Sequence, residues 1–141
     1  MGLILDDLYD HEGYADRRLP DGHLARGVWT HATREFTGYV AACGCGWHAT
    51  RDHPPTEDGE ELAVDQWRRE HGEPLLAQQA ERRHLELARV LEWLGGQAGR
   101  LHDPAAVERV GRAVDRARDL VTDVRHDLER QAPEREADRA R

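Results

Sequence analysis

The chain holds only two cysteines, and they stand one residue apart in Cys43-Gly44-Cys45-Gly46-Trp47. Two thiols at this spacing, on a short β-leaning segment, have the form of a metal knuckle. The glycines let the backbone bend sharply enough for both sulfurs to face one ion. A helix-like stretch downstream ends in Trp67-Arg68-Arg69-Glu70-His71, which makes His71 a natural third ligand. Structural zinc is held tetrahedrally by four protein ligands, thiolate and imidazole first among them. The fourth donor is open among His31, His48 and His53. His31 is favoured, because it falls on the strand before the knuckle and a hairpin would bring it beside the cysteines. His48 is bound to the alternation of the strand behind Cys45, and His53 sits on a loop ahead of Pro54-Pro55. His11, His23, His84, His102 and His126 read as surface or helix-face residues.

Other chemistries find less support. The chain has no serine and no lysine, so a serine nucleophile and a Schiff-base lysine are excluded. An open zinc position with Glu70 or Asp65 as base is conceivable chemistry. Nothing in the sequence marks an oxyanion hole or a substrate pocket to go with it, so no catalytic residue is assigned. Trp47 and Trp67 read as aromatic cover for the thiolates, and Trp29 likewise. Trp93 stands one position before an apolar seam and could mark a contact surface.

The segment Gly38-Tyr39-Val40-Ala41-Ala42-Cys43-Gly44-Cys45-Gly46-Trp47, followed by Pro55-Thr56-Glu57-Asp58-Gly59-Glu60 and Trp67…His71, resembles short uncharacterised actinobacterial proteins with a Cys-x-Cys-Gly-Trp…Trp…His pattern. The resemblance covers about residues 29–73. It implies that Cys43, Cys45, Trp47, Trp67 and His71 act as a set, and it carries no biochemical activity with it.

The elements that must position these residues follow from composition and periodicity. Of 141 residues, 38% are hydrophobic and 34% charged, too lean a mixture for a large apolar core. Helix pairing, a metal or a partner has to supply the remainder. Residues 1–27 show no steady periodicity and read as a loop-rich segment, punctuated by Gly13, Pro20-Asp21-Gly22 and Gly27. Val28–His31 and Tyr39–Cys43 are β-leaning about a Thr37-Gly38 turn, with a third short strand expected near Trp47–Thr50. Thr56 is a fair N-cap, with acids at 57, 58, 60 and 61, for a helix reaching about residue 71. Ala63, Trp67 and His71 then share one face. Residues 28–72 thus form a zinc-binding ββα module.

Glu73-Pro74 restarts the chain as a second helix whose apolar positions are Ala80, His84, Leu87, Leu91, Leu94, Ala98 and Leu101, interrupted at Gly95-Gly96. Asp103-Pro104 opens a third with the seam Val107, Val110, Val114, Ala117, Val121, Val124 and Leu128. Pro133 is expected to end it, leaving a charged tail over 133–141. Residues 73–132 therefore read as an antiparallel helical hairpin, coiled-coil-like and too thin to stand alone, which predicts a homodimer. The fold class is α+β.

The net charge is −8, and the first 72 residues carry fourteen acids against seven arginines. Phosphate neutralisation drives nucleic-acid binding, so this balance disfavours it, although Arg51, Arg68 and Arg69 flank the knuckle. No segment reads as a signal peptide or a membrane span, and the thiol spacing suits metal better than a disulfide. A cytoplasmic, non-enzymatic, zinc-stabilised interaction module is the expectation, with a nucleic-acid-binding regulator as the alternative.

Overall fold

The computed structural model describes residues 2–27 and 35–139, with side chains as far as 131. The chain is α+β and divides into two units, 1–77 and 78–141. The strand expected at Val28–His31, together with Trp29, lies outside the described residues.

The first unit is built on a four-stranded antiparallel sheet. Its strands are β1 (Gly13–Arg18), β2 (Leu24–Ala25), β3 (Gly38–Cys43) and β4 (His48–His53), in the order β2-β1-β3-β4. The stretch read as loop-rich thus contributes β1, an inner strand. Its sequence, Gly-Tyr-Ala-Asp-Arg-Arg, hides this because two arginines and an aspartate break the apolar alternation. Asp16 is nonetheless buried, with the Arg26 guanidinium 3.3 Å and the His48 imidazole 3.6 Å from its carboxylate oxygens. A paired carboxylate can be tolerated inside where a bare one cannot.

β3 is buried along its whole length, since Tyr-Val-Ala-Ala-Cys is covered on both faces. One of those faces receives α1 (Glu57–Trp67). Thr56 caps it by accepting from the Gly59 amide at 3.2 Å, and Glu57, Asp58 and Glu60 lie in the positive first turn. Trp67 is fully buried at the other end, in a cluster with Tyr39, Ala41, Cys43, Ala49 and Ala63. An indole removes roughly 150–250 Å² from water, worth about 4–6 kcal/mol, so this side chain alone does much to dock the helix.

The second helix begins at Glu73-Pro74 as expected, but no break separates it from the first. A π-turn (Arg68–Gly72) joins α1 to α2 (Glu73–Gly96), and the Glu73 amide donates to the carbonyl of Arg68, five residues back. Proline lacks an amide and crowds the carbonyl four residues before it. The wider turn absorbs that conflict, and π-turns of this kind collect at functional positions.

In the second unit, α2 pairs with α3 (Pro104–Arg139) as an antiparallel hairpin. Arg83 meets Asp127 at 2.7 Å and Glu86 meets Arg116 at 2.6 Å, so numbers rise on one helix as they fall on the other. α3 runs past Pro133, where a break was expected. The residues that follow, Glu-Arg-Glu-Ala-Asp-Arg, are mostly strong helix formers with alternating sign. The seam keeps Ala80 and Ala117 from the expected one but is shifted at other positions. Ala106, Ala117, Leu120 and Asp127 are buried in α3 and Ala80 in α2, whereas Leu91, Val107, Val114, Val121 and Leu128 are exposed. The apolar arc on each helix is wider than one partner covers, and hydropathy alone does not say which side of it the partner takes.

Candidate metal centre

Cys43 ends β3, and the chain reverses immediately. The Gly46 amide donates to the Cys43 carbonyl at 3.0 Å, and the Cys43 amide donates to the Trp47 carbonyl at 2.8 Å. Gly46 has φ +97°, a left-handed conformation that glycine adopts freely and other residues do not. The turn leaves Cys43 buried and Cys45 exposed.

His71 arrives on the π-turn one helical turn beyond Trp67, placing its Nε2 3.3 Å from the Cys45 sulfur. Trp47 stacks on its ring, with centroids 4.8 Å apart and planes within 13°. The indole therefore covers the imidazole, whereas the sequence reading set it against the thiolates.

The fourth member is His11, whose Nδ1 is 3.7 Å from the Cys43 sulfur. One ligand atom from each of His11, Cys43, Cys45 and His71 lies within 4.8 Å of every other, so the four can hold a metal ion. His11 rides on a closed loop. Leu3 and Gly13 exchange two 2.8 Å backbone bonds, the buried Leu8 anchors the middle, and the Gly44 amide donates to the Glu12 carbonyl at 2.8 Å. Three separate segments thus converge: this loop, the knuckle and the π-turn.

Of the residues expected in the site, Cys43, Cys45 and His71 come together. His31 lies outside the described residues. The two alternatives are occupied elsewhere. The His53 ring is buried 2.7 Å from the Gln66 amide oxygen, and Gln66 donates in turn to Glu70. His48 faces Asp16. His11, read as a surface residue, is the donor that sequence reasoning missed. No local motif announces it; the signal is the register that pairs Gly13 with Cys43, which carries His11 to the knuckle.

The electrostatics suit a cation. Burial pushes the Cys43 thiol above its ordinary pKa of 9.0, and the Cys45 amide pulls the other way by favouring the thiolate. The Trp67 indole N–H also favours the charged sulfur; it is buried and makes no hydrogen bond of good geometry. A cation bound here would favour the thiolate and offset the cost of burying it. His71 is held below its ordinary 6.5, first by burial and then by His11. A neutral imidazole with a free lone pair is what ligation requires.

No family model matches the chain, and neither a curated protein nor a solved structure matches it. Among the described residues, no helix is long and apolar enough to cross a membrane.

Proposed function

We propose that the first unit is a structural zinc module, and that the chain is a non-enzymatic interaction protein whose helical hairpin makes the contacts. The observation that carries this reading is the convergence of two sulfurs and two imidazoles from three segments within 4.8 Å. Zinc bonds of about 2.3 Å to sulfur and 2.0–2.1 Å to nitrogen give a tetrahedron with edges of roughly 3.3–3.8 Å. The 3.7 Å and 3.3 Å sulfur–nitrogen separations fall within that range. A tetrahedral S2N2 set selects zinc over harder cations, and two thiolates neutralise the divalent charge in a partly buried place.

Four protein donors complete the tetrahedron, which supports a structural role over a catalytic one. The bases that an open site would need are engaged elsewhere. Asp65 pairs with Arg68 at 2.9 Å, and Glu70 accepts two bonds from Gln66. Arg68 also lies 3.9 Å from Glu73, which weakens the alternative of a phosphate-contacting regulator.

Elemental analysis of the purified chain tests the reading. One zinc per chain is expected, falling to background in Cys45→Ala. A metal-free protein that takes up no zinc on titration would overturn it.

A further inference from the structure

Each hairpin helix carries apolar residues on two sides of its axis, and the intramolecular contact uses one. Along α3, Val107, Val114, Val121 and Leu128 recur every seven residues and are 49%, 50%, 52% and 44% exposed. On α2 the same flank carries His84 and Leu91, the latter 53% exposed. In an antiparallel pair these two stripes lie on one side of the hairpin. The opposite side is bridged by the 2.6 Å Glu86–Arg116 ion pair, with Arg89 and Arg112 around the partly exposed Trp93. A two-helix element with ion pairs bridging one side and an uncovered heptad stripe along the other is half of a four-helix bundle.

We propose that a second copy of this chain covers the apolar side, with α3 of each copy packed antiparallel on α2 of the other about a two-fold axis along the bundle. This rests on the interaction-module reading for the hairpin and is independent of the zinc.

Symmetry fixes the register. A two-fold parallel to the helices gives the intermolecular α3–α2 contact the same alignment as the intramolecular one, in which residue 83 faces 127 and 86 faces 116. Val114 then meets the partner's Leu91, and Val121 falls level with the partner's His84. Bordering the stripe, Arg125 falls level with the partner's Glu81, and Arg118 with the partner's Ala88. Gly111 falls level with the partner's Gly95, and a Cβ at either glycine would meet nothing within 4 Å in the chain itself. The competing arrangement stacks α3 on α3; matching Val114 to Val121 there sets Arg118 against the partner's Arg118. Like charges so opposed are unfavourable, so the charge pattern selects the α3-on-α2 arrangement.

The area suffices. From Val107 to Leu128 the stripe runs about 30 Å, and two helices are about 20 Å wide. Roughly 600 Å² is therefore covered per copy, about 1,200 Å² in all, the lower bound of a stable interface.

Light scattering on the full zinc-loaded chain should give twice the 16.1 kDa chain mass at about 50 μM. Val114→Glu with Val121→Glu should give a monomer with unchanged helicity, because both side chains are half exposed within one chain. Arg125→Glu and Glu81→Arg should each raise the dimer dissociation constant about 3- to 5-fold, and the double variant should restore it. A monomer at every concentration to about 500 μM overturns the dimer. Full dimerisation of the double-Glu variant overturns the surface, and absence of rescue overturns the arrangement. Zinc content measured on the same samples separates each failure from failure of the metal site.

Discussion

Gly13 lies directly beneath the indole of Trp67: a Cβ on Gly13 would fall 2.1 Å from Cδ2 of the ring. Gly13 also pairs with Cys43 across the sheet. His11 precedes Gly13 by two residues, and His71 follows Trp67 by one helical turn. This close approach of strand to helix is therefore what brings both imidazoles to the knuckle.

Gly13→Ala should accordingly disturb stability and site together. Overpacking of a tight interior contact costs about 1–3 kcal/mol. Urea unfolding followed by tryptophan fluorescence should show a midpoint shift of that size, with weakened zinc binding. An alanine variant matching the wild type in both would disprove the contact.

His11→Ala and His31→Ala should part company. Loss of a direct donor should weaken zinc by more than about 100-fold, beyond the 10–100-fold typical of outer partners. Competition with a chromophoric chelator reads this directly. Replacing His31, which supplies no member of the described cluster, should leave affinity within about 3-fold. The reverse order would reassign the fourth position.

Trp67→Phe keeps an aromatic ring in the core but removes the N–H that favours the Cys43 thiolate. Zinc affinity should fall about 10-fold, the scale of an outer-sphere donor. The stoichiometry at saturating zinc should stay at one. An unchanged affinity would show that the indole acts only by packing.

The metal-free protein should lose stability on both sides of neutrality. Below pH 6.5 an unfolded His71 binds a proton that the folded one resists, so the unfolded state holds more protons and stability falls as pH drops. Above pH 9.0 an unfolded Cys43 releases its proton while the folded thiol keeps it, so stability falls as pH rises. Chemical denaturation of the chelated protein from pH 5 to 10, beside His71→Gln and Cys43→Ala, isolates the two limbs. Each limb should flatten in its own variant, and a limb that persists would assign it to other groups.

The sequence determined what could be decided within a few residues. Cys-Gly-Cys-Gly dictates a tight turn with two sulfurs at its edge. Thr56 and the acids after it dictate where α1 starts, and spacing by four puts Ala63 and Trp67 on one face. Two long heptad-bearing segments dictate helices. Tertiary structure decided the matters that depend on residues distant in the chain. His11 joins the site through a strand register that no local pattern encodes, because β1 carries Asp16, Arg17 and Arg18 and is accepted into the sheet only through their partners. Pro74 looked like a boundary because proline breaks an α-helix; a π-turn accommodates it, and that widened turn carries the His71 ligand. The hairpin seam fell on one flank of each apolar arc. Hydropathy measures how wide such an arc is; the flank that is covered is the one where Ala106, Ala117 and Leu120 are buried and Arg83 meets Asp127.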